Sequence, residues 1–391
     1  MKMRVAYFFI PFLIWTLSGT AQDSGTVKKI RDLVIYENPD YYASFPSVIK
    51  KEDGEILVAF RRAPERKIFG EPGSNHVDPN SYLVTVRSRD NGLSWSKEPE
   101  LLYAHPFGGS QDPCLLLLKD GTILCTSYGW AFLRDHAIDN VKQPVFSNAN
   151  NSVFLGGYYL RSTDNGSSWK GPYYPPNLPA EMKYTPMGTP LPAYNRGGLY
   201  EGRDGRLFWV VAGSHDQNDI RKTGNWLLIS EDKGLTWEYS CEVATDEKVA
   251  FNETSIYETP KGDLVAFIRT AGLDDQACIA RSTDGGKSFG PWQSMGFQGH
   301  PLQATRLPDD RVLLVYGYRH KPYGIRARIL NAECTDYATA EEIILRTDGG
   351  GSDIGYPWAT VIDDHTVLVT YYFNLDNGTR HIAGTILEIN P

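Results

Sequence analysis

The sequence predicts an all-β protein, a six-bladed β-propeller whose blades are four-stranded antiparallel sheets. Two internal repeats predict this fold: a short turn motif occurs four times, and a β-hairpin pattern occurs six times. The composition agrees, because 37 Gly, 24 Pro and 12% aromatic residues are typical of many short strands joined by turns. With 41% hydrophobic residues the chain can bury a large core, which excludes a disordered protein.

The turn motif has the pattern Ser-x-Asp-x-Gly-x-Ser/Thr-Trp/Phe, and each copy follows an apolar run. In such a turn the Asp accepts hydrogen bonds from backbone amides, and the Gly adopts a positive φ angle. The aromatic residue at its end is expected to pack between neighbouring sheets. One copy would be a generic turn, but four copies in one chain indicate a repeated structural unit. The copies are Ser88–Trp95, Ser162–Trp169, Ser230–Trp237 and Ser282–Phe289.

The hairpin repeat consists of a strand, a tight turn and a strongly apolar strand. Successive turns lie 48 to 84 residues apart, which suits one four-stranded blade with its loops. We expect Leu33–Tyr36 to pair with the last blade near His381–Ile389 and to close the ring. The six hairpins are Phe45–Arg61, Asp112–Tyr128, Arg196–Ala212, Glu253–Arg269, Pro301–Gly317 and Tyr356–Tyr372.

The first 21 residues have the pattern of a secretory signal peptide. Lys2 and Arg4 precede the apolar stretch Val5–Leu17, and small residues follow as far as Ala21. The apolar stretch is shorter than the roughly 20 residues of a membrane span, although an uncleaved anchor is the alternative interpretation. We therefore expect cleavage near Ala21, a secreted or periplasmic location, and one propeller domain over residues 22–391.

Charge and cysteine usage restrict the partners and cofactors. The chain has 39 Lys and Arg against 47 Asp and Glu, which gives a formal net charge of −8. A net acidic protein without a basic run is a poor nucleic-acid binder, so no nucleic-acid partner is expected. The sequence contains no Cys-x-x-Cys pair and no clustered ligand set, so no metal or other cofactor is expected. Cys114 and Cys125 flank one hairpin turn, where a disulfide or two buried thiols would fit.

The hairpin repeat also predicts which residues face the central axis. Positions eight residues before and after each turn lie at the hairpin end away from that turn, and in a propeller all six ends meet on one face. Ionisable and aromatic side chains occupy most of these positions, which indicates a functional face, although single members could be structural ion pairs. The set before the turns is Phe45, Asp112, Arg196, Glu253, Pro301 and Tyr356. The set after the turns is Arg61, Tyr128, Ala212, Arg269, Gly317 and Tyr372.

Tyr356 and Glu253 are the members of this set that suggest a reaction. A tyrosine is a weak nucleophile at neutral pH unless a base lies beside it, and these two side chains can meet across a central cavity. A neutral phenol, deprotonated by the glutamate as it attacks, suits a substrate whose own negative charge would repel a carboxylate nucleophile. Sialidases are the glycoside hydrolases that use such a tyrosine, and arginines would bind the substrate carboxylate.

The four turn motifs, known as Asp-boxes, and the six hairpins resemble the sialidase (neuraminidase) superfamily over essentially all of residues 22–391. That superfamily has Asp-box or BNR repeats on a six-bladed propeller. The resemblance implies that Tyr356 is the nucleophile, Glu253 its base and Arg269 one arginine of a substrate-binding triad. Asp78, in the loop before the first Asp-box, matches the position of the family's acid/base.

Further residues match the family less closely. Arg326 is the best match for the third arginine of the triad, and Arg319 is the competitor. Asp112 is a candidate second acid in the cleft, although an Asp before a Pro is also common where a strand begins.

The sequence departs from the family at two positions that belong together. Ser44 stands where the family has the first arginine of its triad, and Tyr372 stands where the family has a glutamate that orients this arginine. Arg61 and Arg62, at the end of the same first hairpin, could supply a substitute cation. The identity of the sugar therefore stays open, and another acidic sugar is compatible with the motifs.

The residues favour a secreted, retaining exo-glycosidase that removes terminal sialic acid or a related acidic sugar from a glycan. One alternative is a propeller glycosidase or lyase that acts on a different glycan. The other is a non-catalytic carbohydrate-binding propeller, which the serine at position 44 favours and the retained Tyr356 and Glu253 oppose. We expect a glycan or glycoconjugate partner, no transmembrane segment in the mature chain, and a monomer.

Overall fold

Six antiparallel four-stranded sheets form the propeller that the repeats predict. The computed structural model describes residues 27–70, 76–147, 151–179, 181–214, 222–376 and 378–390. The expected signal peptide, residues 1–21, lies outside the described residues. Among the helices of these described ranges, none is long and apolar enough to cross a membrane.

The first strand, β1 (Val27–Tyr36), belongs to the last blade, and the next twelve strands form blades one to three in chain order. Blade one contains β2 (Tyr41–Lys50), β3 (Ile56–Pro64), β4 (Tyr82–Ser88) and β5 (Glu100–Tyr103). Blade two contains β6 (Gly109–Leu117), β7 (Ile123–Phe132), β8 (Ser152–Ser162) and β9 (Lys170–Tyr173). Blade three contains β10 (Tyr200–Glu201), β11 (Leu207–Ser214), β12 (Thr223–Ser230) and β13 (Glu238–Ala244).

The remaining strands form blades four to six. Blade four contains β14 (Ala250–Glu258), β15 (Leu264–Ala271), β16 (Gln276–Ser282) and β17 (Gln293–Gln298). Blade five contains β18 (Leu302–Arg306), β19 (Val312–Tyr318), β20 (Gly324–Leu330) and β21 (Glu342–Arg346). Blade six contains β22 (Gly355–Asp363), β23 (Thr366–Phe373), β24 (His381–Ile389) and β1. Two short helices lie in loops, a 3-10 helix at Arg66–Phe69 and α1 at Asp135–Ile138.

All six predicted hairpins are confirmed as antiparallel strand pairs, and each pair contains the innermost strand of its blade. The third hairpin differs from the prediction because its first strand, β10, is only Tyr200–Glu201. Gly197, just before β10, packs closely against blade four, because a Cβ on this residue would lie 1.9 Å from the Thr254 carbonyl oxygen. Arg196 therefore lies in a closely packed segment before β10.

The ring is closed by the chain termini, as the sequence predicts. β1 pairs antiparallel with β24, with Val27 opposite Ile389 and Leu33 opposite Gly384. The pairing extends over more residues than Leu33–Tyr36. The N-terminal strand thus completes a sheet whose other three strands come from the C-terminus.

The four Asp-boxes adopt one common turn. In the second box Ser162 Oγ donates to Asp164 Oδ1 at 2.7 Å, and Gly166 N donates to Ser162 Oγ at 2.9 Å. Ser168 N donates to the same Asp164 oxygen at 2.9 Å. The other boxes repeat these bonds around Asp90, Asp232 and Asp284. The predicted turn chemistry is therefore confirmed.

The aromatic residues of the boxes contribute to the cores between blades. The centroid of the Trp237 ring lies 5.4 Å from that of Trp209 in the same blade, blade three. It also lies 6.4 Å from the ring centroid of Tyr159 in blade two. The same buried cluster contains residues of several blades. Packing of this kind is what an aromatic residue between neighbouring sheets provides.

Cys114 and Cys125 are buried free thiols, so the possible disulfide is not formed. The strand register explains this, because Cys114 lies opposite Thr126 while Cys125 lies opposite Leu115. The two side chains consequently pack in different cores on opposite faces of the sheet. Burial raises the pKa of Cys114 to about 11, so this thiol stays protonated at neutral pH.

The Asp-box turn predicts a pH-dependent contribution to stability. Hydrogen bonds from Ser168 lower the pKa of Asp164 from 3.8 to about 2. Stability from this carboxylate is therefore fully present above about pH 4 and is lost as the pH falls through 2. We expect Asp164→Asn to lower Tm at pH 7 by an amount on the order of a few degrees, because the turn is exposed and screened by solvent.

Thermal unfolding of both proteins between pH 7 and pH 2 measures this effect. The difference in Tm should shrink as the pH falls. A difference that stays constant down to pH 2 would contradict the proposed origin.

Candidate active site

Irregular strand entries point side chains toward the central axis. The registers of four innermost strands shift near their first residues, between Ser44 and Ser47, Gln111 and Cys114, Phe251 and Thr254, and Gly355 and Trp358. A bulge bends the strand and redirects the side chain there. Phe45, Asp112 and Tyr356 have φ angles of 57°, 39° and 53°. Non-glycine residues in this region are strained by on the order of 1–3 kcal/mol and cluster at functional sites.

The side chains of Tyr356, Glu253 and Arg269 meet at the axis. Tyr356 Oη donates a hydrogen bond to Glu253 Oε1 at 2.5 Å. Arg269 Nη1 donates to Tyr356 Oη at 3.0 Å and also to Glu253 Oε2. Tyr356 is only 3% exposed. The structure therefore brings together three residues that come from blades four and six and that the sequence analysis selected.

The environment sets the protonation of this cluster at neutral pH. Burial and the Glu253 charge raise the pKa of the Tyr356 phenol well above its ordinary value. Burial alone would raise the pKa of Glu253, but the Arg269 charge and the Tyr356 hydrogen bond lower it below its ordinary value. The pair is thus a neutral phenol beside a carboxylate that can accept its proton.

Arg319 lies against this cluster, whereas Arg326 does not. Arg319 Nη2 donates to Tyr372 Oη at 2.8 Å, and its Cζ lies 5.1 Å from the centroid of the Tyr356 ring. Arg326 stacks on Tyr318 at 4.7 Å and donates to backbone carbonyls of blade five. The structure therefore does not bring Arg326 to the cluster, because β20 is the third strand of its blade and lies away from the axis.

Arg61 and Arg62 point in opposite directions because consecutive residues of a strand alternate between faces. Arg61 is fully buried near the axis, with its Cζ 5.9 Å from the Phe45 ring and its Nη1 3.5 Å from Ser44 Oγ. Arg62 stacks on the Tyr41 ring at 3.4 Å on the other face. Arg62 therefore does not supply a substitute cation to the site, and Arg61 is the member of the pair that lies beside Ser44.

A network around Asp353 occupies the region where the sequence departs from the family. Tyr42 Oη, Tyr372 Oη and Arg380 Nε donate to the Asp353 carboxylate at 2.8, 2.9 and 2.9 Å. Burial would raise the pKa of Asp353, but His76, Arg380 and Tyr42 together lower it well below its ordinary value. Asp353 and Arg380 were missed by sequence reasoning, because no repeat position marks the loop that contains Asp353.

Asp78 forms an ion pair with Arg66. Arg66 Nε and Nη2 donate to its two oxygens at 2.7 and 3.0 Å, and Asn80 N donates to Oδ1 at 2.8 Å. The side chain is 3% exposed. Both carboxylate oxygens of this acid/base candidate therefore have protein donors.

Asp112 is a buried carboxyl group on the same face. Tyr128 Oη donates to Asp112 Oδ2 at 2.6 Å, while Oδ1 has no hydrogen-bond partner among the described residues. Burial and the Glu253 charge raise the pKa of Asp112 to about 6, against the opposing charge of Arg196. Asp112 therefore titrates close to neutral pH.

Arg196 is the main residue that the candidate set missed. Its side chain is buried at 2% exposure, and its Nη2 donates to Pro46 O at 3.0 Å and to Tyr356 O at 3.2 Å. Its Cζ lies 4.4 Å from the centroid of the Tyr356 ring. The hairpin positions placed Arg196 on the central face, but no residue pattern gave it a role.

A cavity of about 250 Å³ opens beside the cluster. Aromatic rings form one side of it, and Arg196, Asn252, Glu253 and Arg269 supply polar groups. Such a combination of apolar walls and few polar groups is typical of small-molecule sites. The aromatic residues are Tyr128, Trp130, Phe146, Phe154 and Tyr194. Across the described ranges, no group of three or more His, Cys, Asp or Glu side chains could hold a metal ion.

A family model for a BNR repeat-like domain matches residues 145–369, which is more than half of the chain. No curated protein sequence matches the chain. A crystal structure of a Dyadobacter fermentans protein of unknown function is 68% identical, with a TM-score of 0.91. That match covers 93% of this chain and 100% of the other.

Two sialidase structures share the fold at low identity. The Hadza microbial sialidase Hz136 is 17% identical with a TM-score of 0.63, over 88% of this chain and 65% of its own. The NanB sialidase of Streptococcus pneumoniae is 15% identical with a TM-score of 0.63, over 91% and 70% of the two chains. The chain thus spans about two thirds of the length of these sialidases. From the family match over more than half of the chain, we conclude that the chain belongs to the BNR repeat-like family.

Proposed function

We propose that this protein is a secreted, retaining exo-glycosidase that hydrolyses terminal sialic acid or a related acidic sugar from a glycan, with residues 22–391 as its mature domain. The observation that carries the proposal is the 2.5 Å hydrogen bond between Tyr356 Oη and Glu253 Oε1, with Arg269 on both groups. A structural tyrosine does not need a buried carboxylate on its hydroxyl. A nucleophilic tyrosine needs a base there.

The proposed reaction proceeds in two displacements. Tyr356 Oη attacks the anomeric carbon while Glu253 accepts the phenol proton, and the bond to the leaving oxygen breaks as an acid protonates that oxygen. Water then attacks the anomeric carbon of the glycosyl-tyrosine, the acid's conjugate base accepts the water proton, and Glu253 returns a proton to the phenolate. Arg269 Nη1, at 3.0 Å from Oη, stabilises the phenolate during both steps. Two inversions give net retention.

Arg269 and Arg319 are the proposed contacts to a substrate carboxylate. Both guanidinium groups lie beside Tyr356, where a carboxylate on the reacting carbon would be placed. Protein acceptors also hold both side chains. Arg319 donates to Tyr372 Oη and Ile354 O, and Arg269 donates to Glu253 and Tyr356. A preorganised guanidinium loses little conformational entropy when it binds a carboxylate.

Two carboxyl groups are candidates for the acid that protonates the leaving group. The resemblance noted from the sequence favours Asp78, but Arg66 donates hydrogen bonds to both of its carboxylate oxygens. Asp112 has the more suitable chemistry, because burial raises its pKa to about 6 and its Oδ1 is not bound by another described group. We therefore propose Asp112 as the acid and Asp78 as the alternative.

One observation favours a second candidate function, hydrolysis of a glycan that lacks this carboxylate. The family's first arginine is replaced by Ser44, and the negative charge of Asp353 lies behind the Tyr372 hydroxyl on that side. A negative charge near the clamp weakens carboxylate binding. A neutral glycoside should then be the better substrate.

The first prediction concerns turnover. We expect residues 22–391 to release umbelliferone from an α-sialoside, and Tyr356→Phe to lower kcat by about 1,000-fold or more while binding persists, because the nucleophile is removed. Tyr371→Phe is the matched control, because this neighbouring buried tyrosine bonds Thr385 in the same blade. Equal turnover by wild type and Tyr356→Phe would contradict the mechanism. Release from neutral glycosides alone would favour the second candidate.

The second prediction separates the two arginines. We expect Arg319→Lys to raise KM for the acidic glycoside about tenfold or more, because lysine cannot make the bidentate contact of an arginine. Arg326→Lys should leave KM within about twofold, because this side chain bonds backbone carbonyls within blade five. Steady-state kinetics of both variants provides the measurement. The opposite ranking would restore Arg326 to the site.

The third prediction identifies the acid from the pH dependence. A carboxyl group with a pKa of about 6 is protonated below that pH, so kcat/KM for a poorly activated glycoside should fall as the pH rises through 6. Asp112→Asn should lower kcat/KM by about 100-fold or more and remove this limb, while an activated aryl glycoside should suffer less. If Asp78→Asn removes the limb and Asp112→Asn does not, Asp78 is the acid.

A further inference from the structure

Arg196 carries a buried charge that forms no ion pair among the described residues and that acts on the carboxylates of Asp112 and Glu253 only at longer range. It is 2% exposed, and no carboxylate of the described residues lies within ion-pair distance of its guanidinium. Its Nη2 bonds two backbone carbonyls, and its Nε has no hydrogen-bond partner among the described residues. A buried charge without an ion pair is unfavourable unless another interaction offsets it. The retained charge therefore needs an explanation beyond packing.

The neighbour of this charge is the aromatic ring of Tyr356. Arg196 Cζ lies 4.4 Å from the centroid of that ring and 5.6 Å from that of Trp358, which is within the range of a cation–π contact. Arg196 Nη2 also bonds the Tyr356 carbonyl oxygen, on the residue whose φ angle is 53°. Arg196 thus contacts both the strained backbone and the ring of the same residue.

We propose that Arg196 is a positioning residue for the Tyr356 nucleophile, which fixes the strained Tyr356 backbone and stabilises, through its buried cation, the negative charge that develops on the phenol. This inference rests on the proposed function of Tyr356. Arg269 donates a hydrogen bond to the Tyr356 hydroxyl. Arg196 instead contacts the Tyr356 ring and its backbone carbonyl, and therefore acts on the ring and the backbone.

The effect of Arg196 on the Tyr356 phenolate adds to the effects of the other charges around this residue. Burial, Glu253 and Asp112 disfavour the phenolate, and Arg269 and Arg319 favour it. Arg196 supplies a third cation on the ring side, where solvent does not screen it. The groups that face Tyr356 are Phe45 on β2, Asp112 on β6, Glu253 on β14, Arg269 on β15, Tyr372 on β23, and Arg196 and Arg319 in loops.

The test measures the acidity of the phenol without any substrate. A difluorotyrosine at position 356, whose phenol is more acidic, is titrated by fluorine NMR in the complete mature chain. The backgrounds are wild type, Arg196→Met and Arg196→Lys. We expect the titration midpoint to rise by about one pH unit in Arg196→Met, which corresponds to the loss of a cation at a ring. In Arg196→Lys, which keeps the charge, it should stay within about 0.3 units.

A matched control and a replacement variant complete the design. Arg328→Met removes a guanidinium of blade five that lies 4.2 Å from the Phe297 ring of blade four, and it should leave the midpoint unchanged. If Arg196→Met does not fold, Arg196→Gln removes the charge while keeping a donor toward Tyr356 O.

The outcomes divide clearly. An unchanged midpoint in Arg196→Met, or equal shifts in the Met and Lys variants, would overturn the electrostatic role. Because the titration uses no substrate, its result is independent of whether hydrolysis is found, and failure of hydrolysis with a shifted midpoint would refute the proposed function alone.

Discussion

Closure of the ring by β1 and β24 is the constraint on which the site depends. Tyr356 of blade six and Glu253 of blade four are 103 residues apart in the sequence, yet their side-chain oxygens are 2.5 Å apart. Such a short contact across the axis requires six blades of fixed angular position. The antiparallel pairing of Val27–Tyr36 with His381–Ile389 fixes the last blade, and with it Tyr356, against the first.

The site combines this rigid ring with local strain and buried charge. Bulges at the entries of the innermost strands place Phe45, Asp112 and Tyr356 in an unfavourable φ region and point them at the axis. The surrounding sheets maintain this geometry, since each entry continues into a fully paired strand. The Arg269 charge lowers the pKa of Glu253, so that this carboxylate stays ionised, whereas burial raises the pKa of Asp112 to about 6. Two carboxyl groups on the same face of the propeller are therefore in different protonation states near neutral pH.

Features that repeat were predictable from the sequence, and features that depend on one loop were not. The Asp-boxes, the six hairpins and the closing strand follow from local turn chemistry and hydrophobic pattern, which act over few residues. The hairpin positions likewise brought Tyr356, Glu253 and Arg269 to one face. Arg326 lies away from the cluster because strand order within a blade, and not similarity of a short segment, decides distance from the axis. The sequence analysis gave no role to Asp353 or Arg196, because their roles arise from contacts between blades.

The central claim is that Tyr356 becomes covalently bound to the sugar. Incubation with a fluorinated glycosyl fluoride of an acidic sugar, which forms the intermediate faster than it hydrolyses, followed by peptide mass spectrometry, tests this most directly. The account predicts a mass increase of one fluorinated glycosyl unit on the peptide that contains Tyr356, and none in Glu253→Gln within the same time. Turnover of a glycoside with no adduct, or an adduct on another residue, would contradict it.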